Sequence, residues 1–235
     1  MSKPSVIAID GPAASGKTTL ACELARRLGY LYFDTGVMYR AVTLVVLERG
    51  IPLADEGAVS AVAESIEIDV LPPTVDDGRL STVLVDGRDV TSLLHTAEVD
   101  ANVSIPSAYA GVRQAMTRQQ RRIAERGHVV MVGRDIGTVV APDAGLKVYL
   151  DASLEARAYR RWREYQTEGQ AISFEEILAA MRHRDELDSA RAVSPLRPAE
   201  DAVVLDTTHM DAQAVLDYVL KLVNARDGDL RRGKP

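Results

Sequence analysis

The sequence predicts an α/β fold organised around a parallel β-sheet. Short apolar runs at residues 6–9 and 31–33 read as buried strands, and each is followed by an amphipathic stretch that reads as a helix. This alternation of strand and helix is typical of parallel sheets, because a crossover between parallel strands usually contains a helix. A glycine-rich loop at residues 11–18 separates the first strand from the first helix. Ligands of open α/β sheets bind at the carboxyl ends of the strands, so we expect functional residues at that edge.

The glycine-rich loop fits a phosphate-binding pattern, in which two glycines spaced by four residues are followed by Lys and Thr. Its glycines allow successive N–H groups to point inward, and the helix N-terminus adds positive partial charge. Lys17 is expected to reach the outer phosphates, and the Thr18 hydroxyl to bind Mg²⁺. A tight turn before an ordinary helix is the alternative, which the flanking strand and helix disfavour. The predicted cofactor-binding residues are Gly11, Pro12, Ala13, Ala14, Ser15, Gly16, Lys17, Thr18 and Thr19.

Composition limits the class of protein. The 235 residues are 46% hydrophobic and 26% charged, which suffices for one sizeable α/β core with a small appendage. The net charge of −6 argues against a nonspecific nucleic-acid binder, because such proteins neutralise phosphates with a basic surface. We expect a cytoplasmic protein without a membrane partner, since no apolar run approaches the roughly 20 residues of a membrane span. The single cysteine, Cys22, suits a reducing compartment.

The first helix carries Leu20, Leu24 and Leu28 on one face, and Gly29 is a typical end signal. The second helix follows residues 31–33 and is closed by a glycine and a proline.

Two polar residues near the start of the second helix, Thr35 and Arg40, are expected close to the carboxyl edge of the sheet. They are candidates for binding an anion. A helix cap for Thr35 and a surface charge for Arg40 are the alternatives.

The strand–helix rhythm breaks near residue 64. Residues 66–70 alternate in polarity, residues 80–85 form a second extended run, and Asp86-Gly87 predicts a tight hairpin. Strands with one polar face are typical of antiparallel sheets. We therefore predict a small antiparallel insertion at residues 64–105, which divides the core into residues 1–63 and 106–235.

Beyond the insertion, Pro106 is predicted to open a long helix with Arg113 just off its apolar stripe, and Gly127 to cap it. The apolar residues 129–132 then form a buried strand, which delivers Arg134 and Asp135 to the edge of the phosphate loop. This Arg and Asp could be a ligand clamp or a structural ion pair, and without the phosphate loop the ion pair would be favoured.

A further strand at residues 146–150 precedes an Arg-rich helix that begins at Ser153. Arg157, Arg160 and Arg161 share one face of this helix, so their guanidinium groups are expected to converge. A solvated charged face is the alternative.

The C-terminal part contains a helix break at Gly169 and a capping box at residues 173–176 that starts the next helix. Residues 202–206 are predicted to be the last buried strand, and residues 211–224 the last amphipathic helix.

Five stretches together resemble the nucleoside monophosphate kinases, and specifically the bacterial-type cytidylate kinase family, over nearly the whole chain. The matching stretches are residues 9–17, 34–40, 133–140, 150–153 and 191–196. The phosphate loop alone fits many proteins, whereas Asp-Thr-Gly at residues 34–36 and Gly-Arg-Asp at residues 133–135 are far more specific.

The resemblance implies a phosphate-loop (P-loop) fold of three layers, α/β/α, with a five-stranded parallel sheet, a monophosphate-binding insertion and an Arg-rich lid at about residues 155–172. It also implies transfer of the γ-phosphate of ATP to CMP or dCMP, with ATP and Mg²⁺ as cofactors. The implied substrate-binding residues are Thr35, Arg40, Ser104, Arg113, Arg134, Asp135, Arg184, Asp188 and Arg191, and the implied catalytic residues are Lys17, Arg134, Arg157, Arg160 and Arg191. We expect a monomer.

The implied base recognition is chemically consistent. A carboxylate at Asp135 can accept a hydrogen bond from the exocyclic amine of cytosine, while Arg113 donates to its ring acceptors. Uracil presents the reverse pattern, which would leave polar groups unpaired. No general base is expected, because the monophosphate has a second pKa of about 6 and arrives largely ionised.

Three other functions stay open from the sequence: another P-loop kinase, acting on UMP, thymidylate or a small metabolite; a GTPase-like regulator; and a catalytically silent binding module. The two asparagines, Asn102 and Asn224, lie outside any Asn-Lys-x-Asp guanine-recognition pattern, which disfavours the GTPase.

Overall fold

The computed structural model describes residues 3–167, 169–190 and 195–225. In chain order, the helices and strands up to residue 124 are β1 (Val6–Asp10), α1 (Lys17–Leu28), β2 (Leu31–Asp34), α2 (Gly36–Glu48), α3 (Glu56–Ser65), β3 (Ile68–Leu71), β4 (Thr82–Val85), β5 (Arg88–Asp89), α4 (Ala97–Asn102), α5 (Ser104–Ala108) and α6 (Ala110–Ala124). They continue with β6 (Val129–Gly133), a π-helical turn (Ile136–Val140), β7 (Leu146–Asp151), α7 (Leu154–Thr167), α8 (Phe174–Ala190), β8 (Val203–Asp206) and α9 (Ala212–Asn224).

The central sheet has five parallel strands in the order β2-β6-β1-β7-β8, which confirms the predicted P-loop fold with its three α/β/α layers. The register sets Asp10, the last residue of β1, beside Gly133 on β6 and beside Tyr149 on β7. The loops that follow β1 and β6 therefore leave the same edge of the sheet next to each other.

Apolar residues on the two faces of the sheet form two separate clusters. On β1 and β6, Ala8 and Met131 pack towards the cluster that includes α2, α3 and α6. Ile7, Ile9 and Val130 pack towards the cluster that includes α1 and α9. Because side chains alternate along a strand, each buried strand supplies both layers of the core.

The insertion contains a three-stranded antiparallel sheet in the order β3-β4-β5, as the alternating pattern predicted. Its first strand is joined to α6 by Gln119, whose Oε1 accepts from Ile68 N at 2.7 Å and whose Nε2 donates to Ile66 O at 3.0 Å. The apolar cluster runs without interruption from the central sheet to Val70 and Val85. The boundaries at residues 64 and 105 stay a prediction.

The predicted helix start at Pro106 is wrong. Pro106 lies inside the short α5, and α6 begins at Ala110 after Tyr109, whose backbone is extended with φ −73° and ψ 131°. The Tyr109 hydroxyl donates to Leu53 O at 2.8 Å, which ties this break to the loop before α3. A tertiary contact therefore divides a stretch that local pattern reads as one helix.

The last strand is not buried as predicted. Val204 is 56% exposed, while Val203 and Leu205 are only partly exposed. β8 is an edge strand, and Leu205 packs against the cluster that contains α9. The opposite face of this edge strand stays open to solvent.

Other local signals are confirmed. Gly29 ends α1 with φ +69°, and the capping box starts α8, where Ser173 Oγ donates to Glu176 Oε2 at 2.7 Å. Among the described residues, no helix combines the length and apolar character needed to cross a membrane.

Candidate functional site

The loop between β1 and α1 is tightly wound, with three residues at positive φ. Gly11 adopts φ +146°, and a Cβ at this position would lie 2.1 Å from the Leu150 carbonyl oxygen. Ala14 and Gly16 have φ of +57° and +92°. This winding leaves Thr18 and Thr19 exposed at the start of α1, as expected for a phosphate-binding loop.

Lys17 is folded into the loop. Its Nζ donates to Pro12 O at 2.5 Å and lies 3.5 Å from Ser15 Oγ. Burial lowers the pKa of Lys17, and the positive charge of Arg134 lowers it further. If an anion bound in the loop, its charged oxygens would replace the neutral acceptors of Lys17 and would favour the ammonium form of this side chain.

A cavity of about 450 Å³ opens beside the loop, a volume suited to a small ligand. Its wall combines the loop with one face of α7 and with the segment between β8 and α9. The lining residues are Ala14, Ser15, Gly16, Lys17, Thr18, Thr19, Leu20, Arg160, Arg161, Glu164, Thr207, Met210, Ala212 and Val215. Sequence reasoning missed Thr207 and Met210, although their place directly after the last strand was a usable signal.

The carboxylate of Asp10 was also missed by sequence reasoning. Its Oδ1 accepts from Ile136 N at 2.8 Å and its Oδ2 accepts from Gly137 N at 2.7 Å. The side chain is buried, and burial raises its pKa to about 6 against the opposing effect of these two hydrogen bonds. Its position, at the end of an apolar strand and directly before a phosphate loop, could have marked it as a candidate site residue.

Arg113 and Asp135 form a buried ion pair, with Arg113 Nη2 donating to Asp135 Oδ2 at 3.1 Å. Arg113 Nη1 also donates to Ser107 O at 3.2 Å, and the guanidinium lies 5.5 Å from the ring centre of Tyr39. The Nε of Arg113 has no hydrogen-bond partner among the described residues. Although Arg113 lies just off the apolar stripe, it is buried, because α5 and the turn after β6 cover this side of α6.

Around this pair, Thr35 is buried and its Oγ1 donates to Val132 O at 2.8 Å, so it does not cap α2 through its side chain. Arg40 donates to Leu94 O at 3.0 Å and pairs with Asp100. Arg134 is half-buried and near enough to Lys17 to affect its pKa.

Ser104 is the exposed first residue of α5. Arg184 is exposed on α8, and its charge contributes to lowering the pKa of Lys17. The side chain of Asp188 and the whole of Arg191 lie outside the described residues.

The predicted convergence of guanidinium groups on α7 is wrong. Arg157 is buried and donates to Asp185 at 2.6 Å, to Ala152 O at 2.9 Å and to Ala13 O at 3.2 Å. Arg160 instead donates to Thr207, through Nη1 to its Oγ1 at 3.2 Å and through Nη2 to its carbonyl oxygen.

Arg161 takes a third direction and pairs with Glu164 on its own helix at 3.0 Å. Repulsion between like charges and the presence of separate acceptors explain the divergence. Only Arg160 and Arg161 of these three line the cavity.

Comparison with known proteins gives a consistent result. A sequence model of the cytidylate kinase family matches residues 7–225. The chain is similar to cytidylate kinases from Herpetosiphon aurantiacus (48% identity over 95% of this chain and 96% of the relative), Chloroflexus aggregans (52% over 87% of each) and Bacillus licheniformis (45% over 96% and 99%). Among solved structures, an uncharacterized protein from Eubacterium ventriosum resembles the fold with a TM-score of 0.51, at 12% identity, covering 94% of this chain and 99% of that chain.

Removing Arg113 should destabilise the fold. In the Arg113→Met variant the Asp135 carboxylate stays buried without its cation, and we expect the free energy of unfolding to fall by about 3 kcal/mol. Urea denaturation at neutral pH measures this loss. Arg118→Met is the matched control, because Arg118 and Glu64 form an exposed pair whose loss should have little effect. Equal losses in the two variants would contradict a stabilising role of the buried pair.

The raised pKa of Asp10 predicts a pH-dependent stability. Its pKa is about 6 in the folded protein against 3.8 for an unperturbed aspartate, so the folded state binds more protons between these values. The free energy of unfolding of the wild type should therefore fall by about 2.5 kcal/mol, relative to Asp10→Asn, as pH rises from about 4 to about 7. Urea denaturation of both proteins at several pH values measures the difference. A difference that is constant or grows with pH would refute the assignment.

Proposed function

This chain belongs to the cytidylate kinase family, and we infer that it transfers the γ-phosphate of ATP to CMP or dCMP and releases ADP with CDP or dCDP. The observation that carries the assignment of the two binding sites is the register of β1 and β6. It sets the phosphate loop beside the turn that bears Arg134 and Asp135. Two phosphates held at these neighbouring loops can meet without a large movement of the sheet.

We propose that the donor triphosphate binds at residues 11–19. Inward N–H groups and the N-terminus of α1 favour its negative charge, and Lys17 is close enough to exchange Pro12 O for a phosphate oxygen. The exposed Thr18 hydroxyl on the cavity wall fits a Mg²⁺ ion held mainly by phosphate oxygens. Such an ion would neutralise charge between the phosphates.

The acceptor base is proposed to bind at Arg113 and Asp135. Cytosine has an amine donor for the carboxylate and ring acceptors for the guanidinium, and Arg113 Nε still has a donor to offer. Ser104 is the first residue of α5, the helix whose Ser107 carbonyl accepts from Arg113, and it is proposed to bind the base as well. Thr35, Arg40 and Arg134 are proposed to hold the acceptor phosphate, which arrives largely ionised and needs no general base.

We propose that the segment at about residues 155–172 acts as a lid over the donor. Arg160 lines the cavity and is therefore the better placed arginine for stabilising the transferring phosphoryl group. Arg157 would have to leave Asp185 and Ala13 O before it could do so. Arg184, Asp188 and Arg191 are proposed to hold the sugar and close over the phosphates.

We further propose a cytoplasmic monomer in pyrimidine nucleotide metabolism that binds no nucleic acid. The net charge of −6 supports a small nucleotide substrate over a polymeric one. The insertion at residues 64–105, whose apolar residues belong to the same core cluster as Ile136 and Val140, is proposed to contribute to monophosphate binding.

An acceptor panel tests this function. With ATP as donor, ADP release is measured with CMP, dCMP, UMP, AMP and dTMP, and without acceptor as the control. We expect CMP or dCMP to have the highest kcat/KM, at least about 100-fold above UMP, because uracil would leave the buried pair unsatisfied. A flat profile would indicate a different kinase specificity, and no ADP release with any acceptor would indicate a binding module.

The Asp135→Asn variant tests the proposed role of the carboxylate. The amide keeps the shape of the side chain but loses charge and one acceptor, so CMP turnover should fall by about 100-fold or more. ATP affinity, measured by titration calorimetry, should change little because the donor loop is intact. A comparable loss of ATP affinity would contradict a role confined to the acceptor.

A further inference from the structure

Asp10 lies between the two loops of the site, and neither the phosphate-loop pattern nor the proposed acceptor set includes it. We propose that Asp10 is a positioning residue for recognition of the acceptor base, which it serves by holding the turn that carries Arg134 and Asp135. This inference rests on the proposed function, since it concerns the acceptor site of that reaction.

The contact geometry is specific to that turn. Asp10 is 4% exposed, and its two carboxylate oxygens accept from the N–H groups of two consecutive residues, Ile136 and Gly137. These are the first residues of the π-helical turn Ile136–Val140, and the first N–H groups of a helical turn lack partners within it. Asp10 therefore satisfies from outside the donors that the turn itself leaves open.

The same contact sets the direction of Asp135. The peptide unit between Asp135 and Ile136 contains the N–H group that Asp10 binds, so the 2.8 Å hydrogen bond from Ile136 N to Asp10 Oδ1 fixes the orientation of this unit. The carbonyl group of the same peptide unit, that of Asp135, accepts from Val139 N at 2.8 Å and from Val140 N at 3.2 Å. With both ends held, the Asp135 side chain points at Arg113.

Asp10 also joins the turn to the donor loop. It is the last residue of β1, and Gly11 follows it with a backbone pressed against the Leu150 carbonyl. A shift of Asp10 would be opposed by the β1 pairing with both β6 and β7. The turn that carries Asp135 is thus anchored to a strand that is paired on both sides.

A carboxylate suits this position better than an amide. Two N–H donors require two acceptors, and Asn would accept with one atom while its NH₂ group opposes the second N–H. Burial raises the pKa of the carboxyl and the hydrogen bonds from Gly137 N and Ile136 N oppose that rise, so the ionised form at neutral pH carries a cost of desolvation that these two donors offset in part. Retention of a costly charge fits a requirement for two well-placed acceptors.

The Asp10→Asn variant is the primary test. Steady-state kinetics with ATP are measured for CMP and UMP, together with the KM for ATP. We expect the KM for CMP to rise about tenfold or more and the preference for CMP over UMP to fall, while the KM for ATP stays within about twofold. A purely structural residue would lower kcat through the fraction of active enzyme and leave both the KM for CMP and the base preference unchanged.

Gly137→Ala perturbs the same contact at the donor residue, since Gly137 N donates to Asp10 Oδ2. Its Cβ would lie 3.2 Å from Lys147 Cδ and 3.4 Å from Asp10 Oδ2, so either the Lys147 side chain or the turn must shift by a few tenths of an ångström. The same change in CMP recognition is expected, to a smaller extent. This variant decides the test if Asp10→Asn does not fold.

Asp55→Asn is the matched control, because Asp55 also accepts from a backbone N–H, that of Ala58 at 3.0 Å, but it caps α3, which carries no residue assigned to either substrate. Its kinetic constants should match those of the wild type. The inference is overturned if the folded Asp10 and Gly137 variants keep the CMP preference of the wild type, or if the KM for ATP rises as much as that for CMP. A wild type without CMP preference would instead refute the proposed function.

Discussion

The parallel pairing of β1 with β6 is the constraint on which the site depends. It sets Asp10 beside Gly133, so the phosphate loop and the Arg134–Asp135 turn leave the sheet at one edge. Both strands are central in the sheet and buried on both faces, which fixes their register strongly. The placement of the two loops next to each other therefore follows from backbone hydrogen bonding within the sheet.

A second physical theme is the cost of buried charge. Lys17, Asp10, Arg113 and Asp135 are each buried, and each has hydrogen bonds to backbone or to an opposite charge. Such groups favour one arrangement of the loops because any other arrangement leaves a desolvated charge unsatisfied. A site with fixed dipoles and charges is suited to phosphoryl transfer, in which positioning and charge stabilisation supply most of the catalysis.

Several features could not be predicted from local pattern. Arg113 is buried because α5 and the turn after β6 cover a face of α6 that the apolar stripe does not mark. Arg157 and Arg160 share a helix face but point to different acceptors, Asp185 and Thr207, which come from other elements. The break at Tyr109 likewise depends on Leu53, more than fifty residues away. In each case the deciding partner lies in a different element of the structure.

The chain order of the five core strands, the phosphate loop, the antiparallel insertion and the family of the chain were all determined by the sequence itself, since each depends on short-range periodicity or on motif spacing. The tertiary structure alone decided which charges are buried together. Asp10 shows the difference: its place at the end of β1 is readable in the sequence, but its two hydrogen bonds to Ile136 and Gly137 span 126 and 127 residues. Contacts of that range arise only once the parallel sheet has brought its strand ends together.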